Sequence, residues 1–340
     1  MAHAESDNQQ ANASESLIDA LSNSGRPFTA EDDDLHPAVP ADNPAWGETS
    51  WWAFNSPKDN LIVWVYLMNR RALGVASVGV WVWDNTKEVN EHRDLLYSKW
   101  CMHVPIPADG NLSDLIIDFP GFFLEMKALE PLSLYTVKFK DADELLLDLG
   151  FRGIHKPEGM GIAGDVGHGD QIGWSTGEVK VYGRSYDIEG PAFRDRSWSE
   201  RSELPTGNPT SDAWAGDGKN FGFSICGLYD EKFNRKLTLG FVVIDGVASK
   251  IVKGERKVVR DPDGSPRTIT ISATDKEGRD IVAIGERIST ASLPTWAGLM
   301  CWITQVKWTI GDRIVYGEEH EGIPVRMWRS LRIEGHPAVT

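Results

Sequence analysis

From Trp46 onward the chain is a succession of short runs rich in Val, Ile, Trp, Tyr and Thr, broken by Gly, Pro, Asn and Asp. No other feature constrains the fold as much, because β-branched and aromatic side chains suit a pleated, half-buried surface and the breakers supply turns. Helical periodicity is almost absent. The pattern predicts strands over 61–68, 76–83, 98–106, 132–139, 178–182, 220–229, 236–244, 250–259, 267–273, 281–288, 299–310 and 313–318. A spacing of about 8 to 15 residues suits antiparallel sandwiches or barrels. A chain of 340 residues is long enough for two of them.

Two of these runs are apolar on both faces. Val63, Val65 and Leu67 alternate with Ile62, Trp64 and Tyr66, and Val78, Val80 and Val82 alternate with Trp81 and Trp83. A strand apolar on both faces is covered on both faces. In a curled sheet this places the outer face against another domain and the inner face on a core or an apolar ligand cavity. The Gly-rich stretch 150–173 has few apolar residues and predicts the end of one β-unit and the lead into the next. The expected domains are an acidic tail over 1–40, a first β-domain over 41–185 and a second over 186–340. The tail holds eight acids against one base and predicts a largely disordered, solubilising segment, with a short helix over 14–22 as its exception.

Charge removes several functional classes. Fifty acidic residues against 35 basic ones give a net charge of −15, which repels a phosphate backbone, and no basic stripe offsets it, so nucleic acid is not an expected partner. Cys101, Cys226 and Cys301 are widely separated, with neither the CxxC spacing of a metal site nor a disulfide framework. The start of the chain lacks the basic and apolar regions of a signal peptide, and no run of 18 apolar residues occurs. A cytoplasmic protein without a membrane span is expected.

Three candidate motifs are weak in context. Gly159, Gly161 and Gly164 have GxGxxG spacing, but Asp165, Gly167, Gly169 and Asp170 follow instead of a helix, and a pyrophosphate would avoid those anions. His320 lies among Glu318, Glu319 and Glu321. Strand alternation sends Glu319 and Glu321 away from His320, so the cluster predicts solvated surface and no metal site. His92 and His103 are single histidines near aromatics and predict structural roles. No Gly-x-Ser-x-Gly elbow or P-loop is present.

The densest segment runs through His168, Asp170, Gln171 and Trp174 and on to Phe193, Arg194, Asp195, Arg196, Ser197, Trp198, Ser199, Glu200 and Arg201. It resembles the tandem lipocalin-like proteins that include carotenoid 1,2-hydratases and the survival-factor type, in which a His and a Gln precede a strand pair ending in Arg-Asp-His-Ser-Trp-Gly-x-Arg. Trp46, Gly47, Glu48, Trp51, Trp52 and Phe54 resemble that family's opening strand, and the likeness spans about residues 45 to 201. Two departures stand out: Arg196 occupies the place of the family's His, and Ser199 that of its Gly. The resemblance implies an all-β fold of two consecutive lipocalin-like antiparallel β-barrel or sandwich domains. It also implies hydratase-like chemistry, an acid- or base-driven addition, elimination or isomerisation on a terpenoid, steroid or aromatic without an organic cofactor.

The residues alone make a parallel case. In an extended strand Phe193, Asp195 and Ser197 share one face, and Arg194, Arg196 and Trp198 the other. Arg196 is then placed to stack on Trp198, a structural contact. Asp195 is the candidate acid or base, and His168, a polar side chain able to orient substrate or water, is the second catalytic candidate. An alternative is that Asp195 pairs with Arg194, Arg196 or Arg201 and fixes the domain junction. Gln171, Trp174, Trp198, Arg194, Arg196, Trp51, Trp52 and Trp81 are the substrate-binding candidates. A non-catalytic carrier of a hydrophobic ligand uses the same cavity without turnover.

Overall fold

The computed structural model describes residues 26–36, 43–106, 111–201, 209–229, 235–296 and 298–334; the helix expected over 14–22 lies outside them. The fold is all-β, with two consecutive lipocalin-like domains. The first sheet contains β1 (Trp46–Ser56), β2 (Leu61–Arg70), β3 (Val75–Trp83), β5 (Tyr97–Pro105), β6 (Asp114–Phe119), β7 (Phe122–Glu130), β8 (Leu134–Asp141), β9 (Leu145–Gly153), β10 (Glu158–Gly159), β11 (Gly167–Val181) and β12 (Arg184–Glu200). The second contains β13 (Thr210–Gly216), β14 (Gly222–Tyr229), β15 (Arg235–Ile244), β16 (Val247–Arg260), β17 (Pro266–Asp275), β18 (Asp280–Trp296), β19 (Leu299–Ile310) and β20 (Arg313–Pro324). It closes on itself because β17 pairs with both β16 and β18. The two-residue β4 (Val89–Asn90) leaves the first domain to pair in parallel with β18 of the second. Helix α1 (Val325–Glu334) follows β20. Among the described residues no helix is long and apolar enough to cross a membrane.

The doubly apolar strands sit where their pattern requires. Val63, Val65, Leu67, Val78, Val80 and Val82 point into the first barrel and pack with Phe54, Leu124, Phe139 and Leu147. Their alternates Ile62, Trp64, Trp81 and Trp83 point outward and meet Trp214, Phe241, Leu293 and Ile303 of the second barrel. A separate core, with Phe223, Ile271 and Trp308, fills the second barrel. The tryptophan-rich outer face of the first barrel is therefore the seam between the two.

Three expectations need correction. The sheets hand over between Glu200 and Thr210 rather than near residue 185, because β12 pairs along most of its length with β11 and β1 of the first sheet. The second half of the glycine-rich stretch is strand and not an interdomain loop: β11 begins at Gly167. Its glycines are there for room, since a Cβ at Gly167 would run into the Trp198 indole and one at Gly169 into the Phe28 ring. The acidic run is not solvated either. Residues 30–33 form a 3₁₀ turn with Asp32 and Asp33 buried, and Arg194 reaches Asp33 at 2.6 Å. Four acids in a row look like a solubilising tail, but Asp33 meets Arg194 of β12, which points inward and needs an anion, and Asp32 pairs with Arg26 and His36.

Candidate functional site

β11 and β12 run antiparallel with Asp170 directly opposite Asp195. Residues two apart on a strand share a face, so His168 lies on the same side as Asp170. The imidazole fits between the two carboxylates, with Nε2 2.8 Å from Asp170 Oδ1 and Nδ1 3.2 Å from Asp195 Oδ2. The second barrel closes the far side, where the Ser224 hydroxyl donates to Asp170 Oδ2 at 2.9 Å. About a third of the His168 side chain remains exposed (36%), against 14% for Asp195 and 6% for Asp170. The group is thus held by both domains and reachable from solvent.

The electrostatics follow from this clamp. Burial by itself would lower the His168 pKa, but the charges of Asp170 and Asp195 outweigh it and raise the value to about 9. Burial lifts Asp195 to about 6, with His168 opposing the rise and Asp170 adding to it. Near neutral pH the site therefore holds an imidazolium beside a carboxylate that titrates within reach of physiological pH. That combination suits proton transfer in either direction. The three side chains also offer ligand atoms all within 4.8 Å of one another, the spacing a divalent cation requires.

The other expected residues separate into two groups. Trp51 is the register partner of Asp195 on β1, and Tyr66 that of Trp51 on β2, so an aromatic row continues from the carboxylate across the sheet. Trp81 lies on the same outer face, and Trp174 is further along β11, against the second barrel's Gly218. The remainder point into the first barrel and take no part in the triad. Arg194 binds Asp33, Tyr135 and Gln171, and Gln171 in turn donates to the carbonyl oxygens of Leu132 and His155. Trp52 packs with Tyr135 and Phe151. Arg196 pairs with Glu48 at 2.8 Å and lies 5.7 Å from the Trp198 ring, as the alternation of β12 requires. Asp195 has His168 as an ionic partner, and Arg194 and Arg196 are on the far side of the strand.

A second polar group faces the same seam. His320 Nε2 is 2.7 Å from Glu318 Oε2, and Glu318 also accepts from Trp64 Nε1 (2.8 Å) and Asn55 Nδ2 (2.6 Å). Glu319 and Glu321 point the opposite way, into the second barrel, where they pair with Arg256 and Arg260. The alternation read from the sequence is correct. The solvated surface expected there is not, because all four of these residues are buried against cations or indoles supplied from elsewhere in the chain.

Sequence reasoning missed Asp170, Ser224, Glu318 and His320 as site residues. Asp170 carried a usable signal, its two-residue spacing from His168 on one strand. Ser224 and Glu318 carried none, because their partners are brought together only when the two barrels meet.

Residues 29–318 match the family described as Domain of unknown function (DUF7064). No curated protein matches. Among solved structures, CghA with Sch210972 superposes with a TM-score of 0.57 at 12% identity, covering 83% of this chain and 89% of that one. A Nitrosomonas europaea protein described as a putative AttH gives a TM-score of 0.57 at 12% identity, over 85% of this chain and 98% of that one. Kievitone hydratase from Nectria haematococca gives 0.56 at 9% identity, over 90% and 97%. At these identities the likeness is one of fold.

Proposed function

We propose that this chain, which belongs to the DUF7064 family, is a hydratase-like enzyme that adds water to, eliminates it from, or isomerises a hydrophobic small molecule held in the seam between its barrels. The observation that carries this is the His168 imidazole clamped between Asp170 and Asp195, partly open to solvent and adjoining an aromatic face. Asp195 takes a proton from water as its oxygen bonds to one carbon of a polarised double bond, and the His168 imidazolium delivers a proton to the other carbon. The pair then holds the same number of protons as before. Elimination is the reverse, and moving a proton between two carbons is isomerisation. Asp170 holds the imidazolium, and Ser224 holds Asp170. The fold shared with a protein named kievitone hydratase supports this class of reaction. A carrier would have no use for an ionised triad at the edge of its apolar surface.

The test is to incubate the protein in deuterium oxide with a panel of conjugated enones and alkenes and read deuterium uptake at carbon by mass spectrometry. The wild type incorporates deuterium into at least one compound. Asp195→Asn lowers the rate about 10²- to 10⁴-fold, with melting temperature nearly unchanged. Compounds that bind without taking up deuterium would establish the carrier instead. Activity lost to a chelator and restored by a divalent ion would transfer the three side chains to metal ligation.

A further inference from the structure

The row that carries His168 runs across the first sheet through Ser197, Thr49 and Met68 to Ser77 on β3. At its far end the outer face opens into a cleft of about 260 Å³, which β18 of the second barrel reaches with Pro294. The volume lies just below the roughly 300–1,000 Å³ usual for small-molecule sites, so its occupant is compact. The floor is aromatic: Trp81 and Trp100 stack with centroids 5.2 Å apart, and Trp100 stacks in turn on Tyr66 at 5.9 Å. Thioethers flank it, from Met68 below and from Met102, which is 55% exposed at the rim. Sulfur and indole together favour the face and edge of a flat π-system over a puckered aliphatic ring.

Apart from Ser77, the polar side chains of the cleft are basic. Arg70, His92 and His103 line it, and among its described lining residues there is no carboxylate, although acids outnumber bases 50 to 35 in the whole chain. His92 is held by the Ser98 hydroxyl at 2.7 Å. His103 sits at φ 60°, in the left-handed region that a non-glycine residue seldom adopts, where the β3–β5 register shifts opposite 76–78. A bulge of this kind re-aims side chains, and it is found beside binding sites more often than elsewhere. The backbone is thus distorted at the point where Met102 and His103 meet the cleft.

We propose that this cleft binds a planar aromatic or conjugated ring system bearing one anionic group, a carboxylate or phenolate, with the ring on Trp100 and the anion toward Arg70 and His103. As the substrate's docking site this rests on the proposed function, since Tyr66 and Trp51 lead along the sheet from Trp100 on β5 to Asp195 on β12, four strand spacings or roughly 19 Å, so the substrate that spans both is elongated and the cleft holds only its ring end. The anionic ring anchors one end and the reacting carbons lie toward the triad. On this proposal His92 and His103 bind the ligand in addition to the structural roles expected from the sequence.

The experiment uses calorimetric titration of the full chain with 2-naphthoate, its neutral methyl ester and a saturated bicyclic carboxylate. Wild type binds 2-naphthoate at least about tenfold more tightly than either of the other two. Met102→Glu, a change at an exposed rim position, weakens naphthoate at least about tenfold more than it weakens the ester and leaves the melting temperature unchanged. Ser77→Trp, which fills the cleft, removes binding of all three. Equal affinity for acid and ester would overturn the anionic part, equal affinity for the saturated acid would overturn the aromatic part, and naphthoate binding unaffected by Ser77→Trp would place the ligand elsewhere. Asp195→Asn separates this inference from the enzymatic one: it lowers turnover about 10²- to 10⁴-fold and leaves naphthoate binding intact. Binding that holds while Asp195→Asn stays fully active would sink the proposed chemistry and spare the cleft.

Discussion

Asp33→Asn tests whether the acidic segment before the first strand is part of the fold. In the structure the Asp33 carboxylate accepts from Arg194 Nη1 at 2.6 Å and from the Tyr135 hydroxyl at 2.6 Å, and all three side chains are buried. Arg194 keeps Gln171 and Tyr135 as neutral partners in the variant but loses its counter-charge. Leaving a buried cation uncompensated costs about 3–5 kcal/mol. At about 2–4 °C per kcal/mol for a unit the size of the first barrel, the midpoint falls by about 6–20 °C. Differential scanning calorimetry reads this directly, with the exposed Glu31→Gln as a control expected to melt with wild type. Adding Arg194→Gln to Asp33→Asn recovers part of the loss, because the stranded charge is gone. An Asp33→Asn protein that melts within about 1 °C of wild type would refute the docked segment and return residues 26–36 to the solvated tail that their composition suggests.

The rate of the reaction rises as Asp195 ionises through about pH 6 and falls as His168 loses its proton through about pH 9, and Asp170→Asn moves the alkaline limb to lower pH by removing the charge that holds the imidazolium; a pH–rate profile of each protein checks both. His168 has its ordinary value of 6.5 when unfolded and about 9 when folded, so its stabilising contribution is complete below about pH 6.5 and disappears as pH rises through about 9. The gap in melting temperature between wild type and His168→Gln therefore narrows above pH 9. Glu321→Gln breaks the buried contacts to Arg256 and Arg260, destabilising the second barrel by about 3–5 kcal/mol in a denaturant titration, while activity per folded molecule is retained. Gly167→Ala costs about 1–3 kcal/mol by the same measurement, because the added carbon meets the Trp198 indole.

Strand positions are legible in the sequence where the chemistry is local. The run at 299–310 has the predicted bounds, and 61–68 and 76–83 differ from β2 and β3 only at their ends. The strands that escape the pattern alternate with exposed residues that include another leucine, as Leu145, Leu147 and Leu149 do with Leu146 and Asp148, or are punctuated by glycine, as β11 is. In β11 glycine marks the close approach of Trp198 and Phe28 from elsewhere in the chain, and a one-dimensional reading cannot tell that from a turn.

The site follows the same division, and the reason lies in the pleat. Which residues of β12 share a face is decided by alternation alone, so the sequence by itself separates Asp195 from Arg194 and Arg196. Which face turns toward what is decided by the second barrel and by residues 26–36, and neither is local to β12. Sequence proximity offers Asp195 the arginines next to it as partners, although on a strand those are the two residues it cannot face. The same geometry explains the use of two acids with opposite duties. Asp33 and Asp195 both accept from a cation borne by β11 or β12, but Asp33 meets a guanidinium inside the barrel that stays charged at any ordinary pH, and Asp195 meets an imidazole that can give its proton up. One strand pair thus presents a permanent ion pair to the interior and a titratable one to the seam. Exchanging the roles would bury the titratable group where no substrate could reach it.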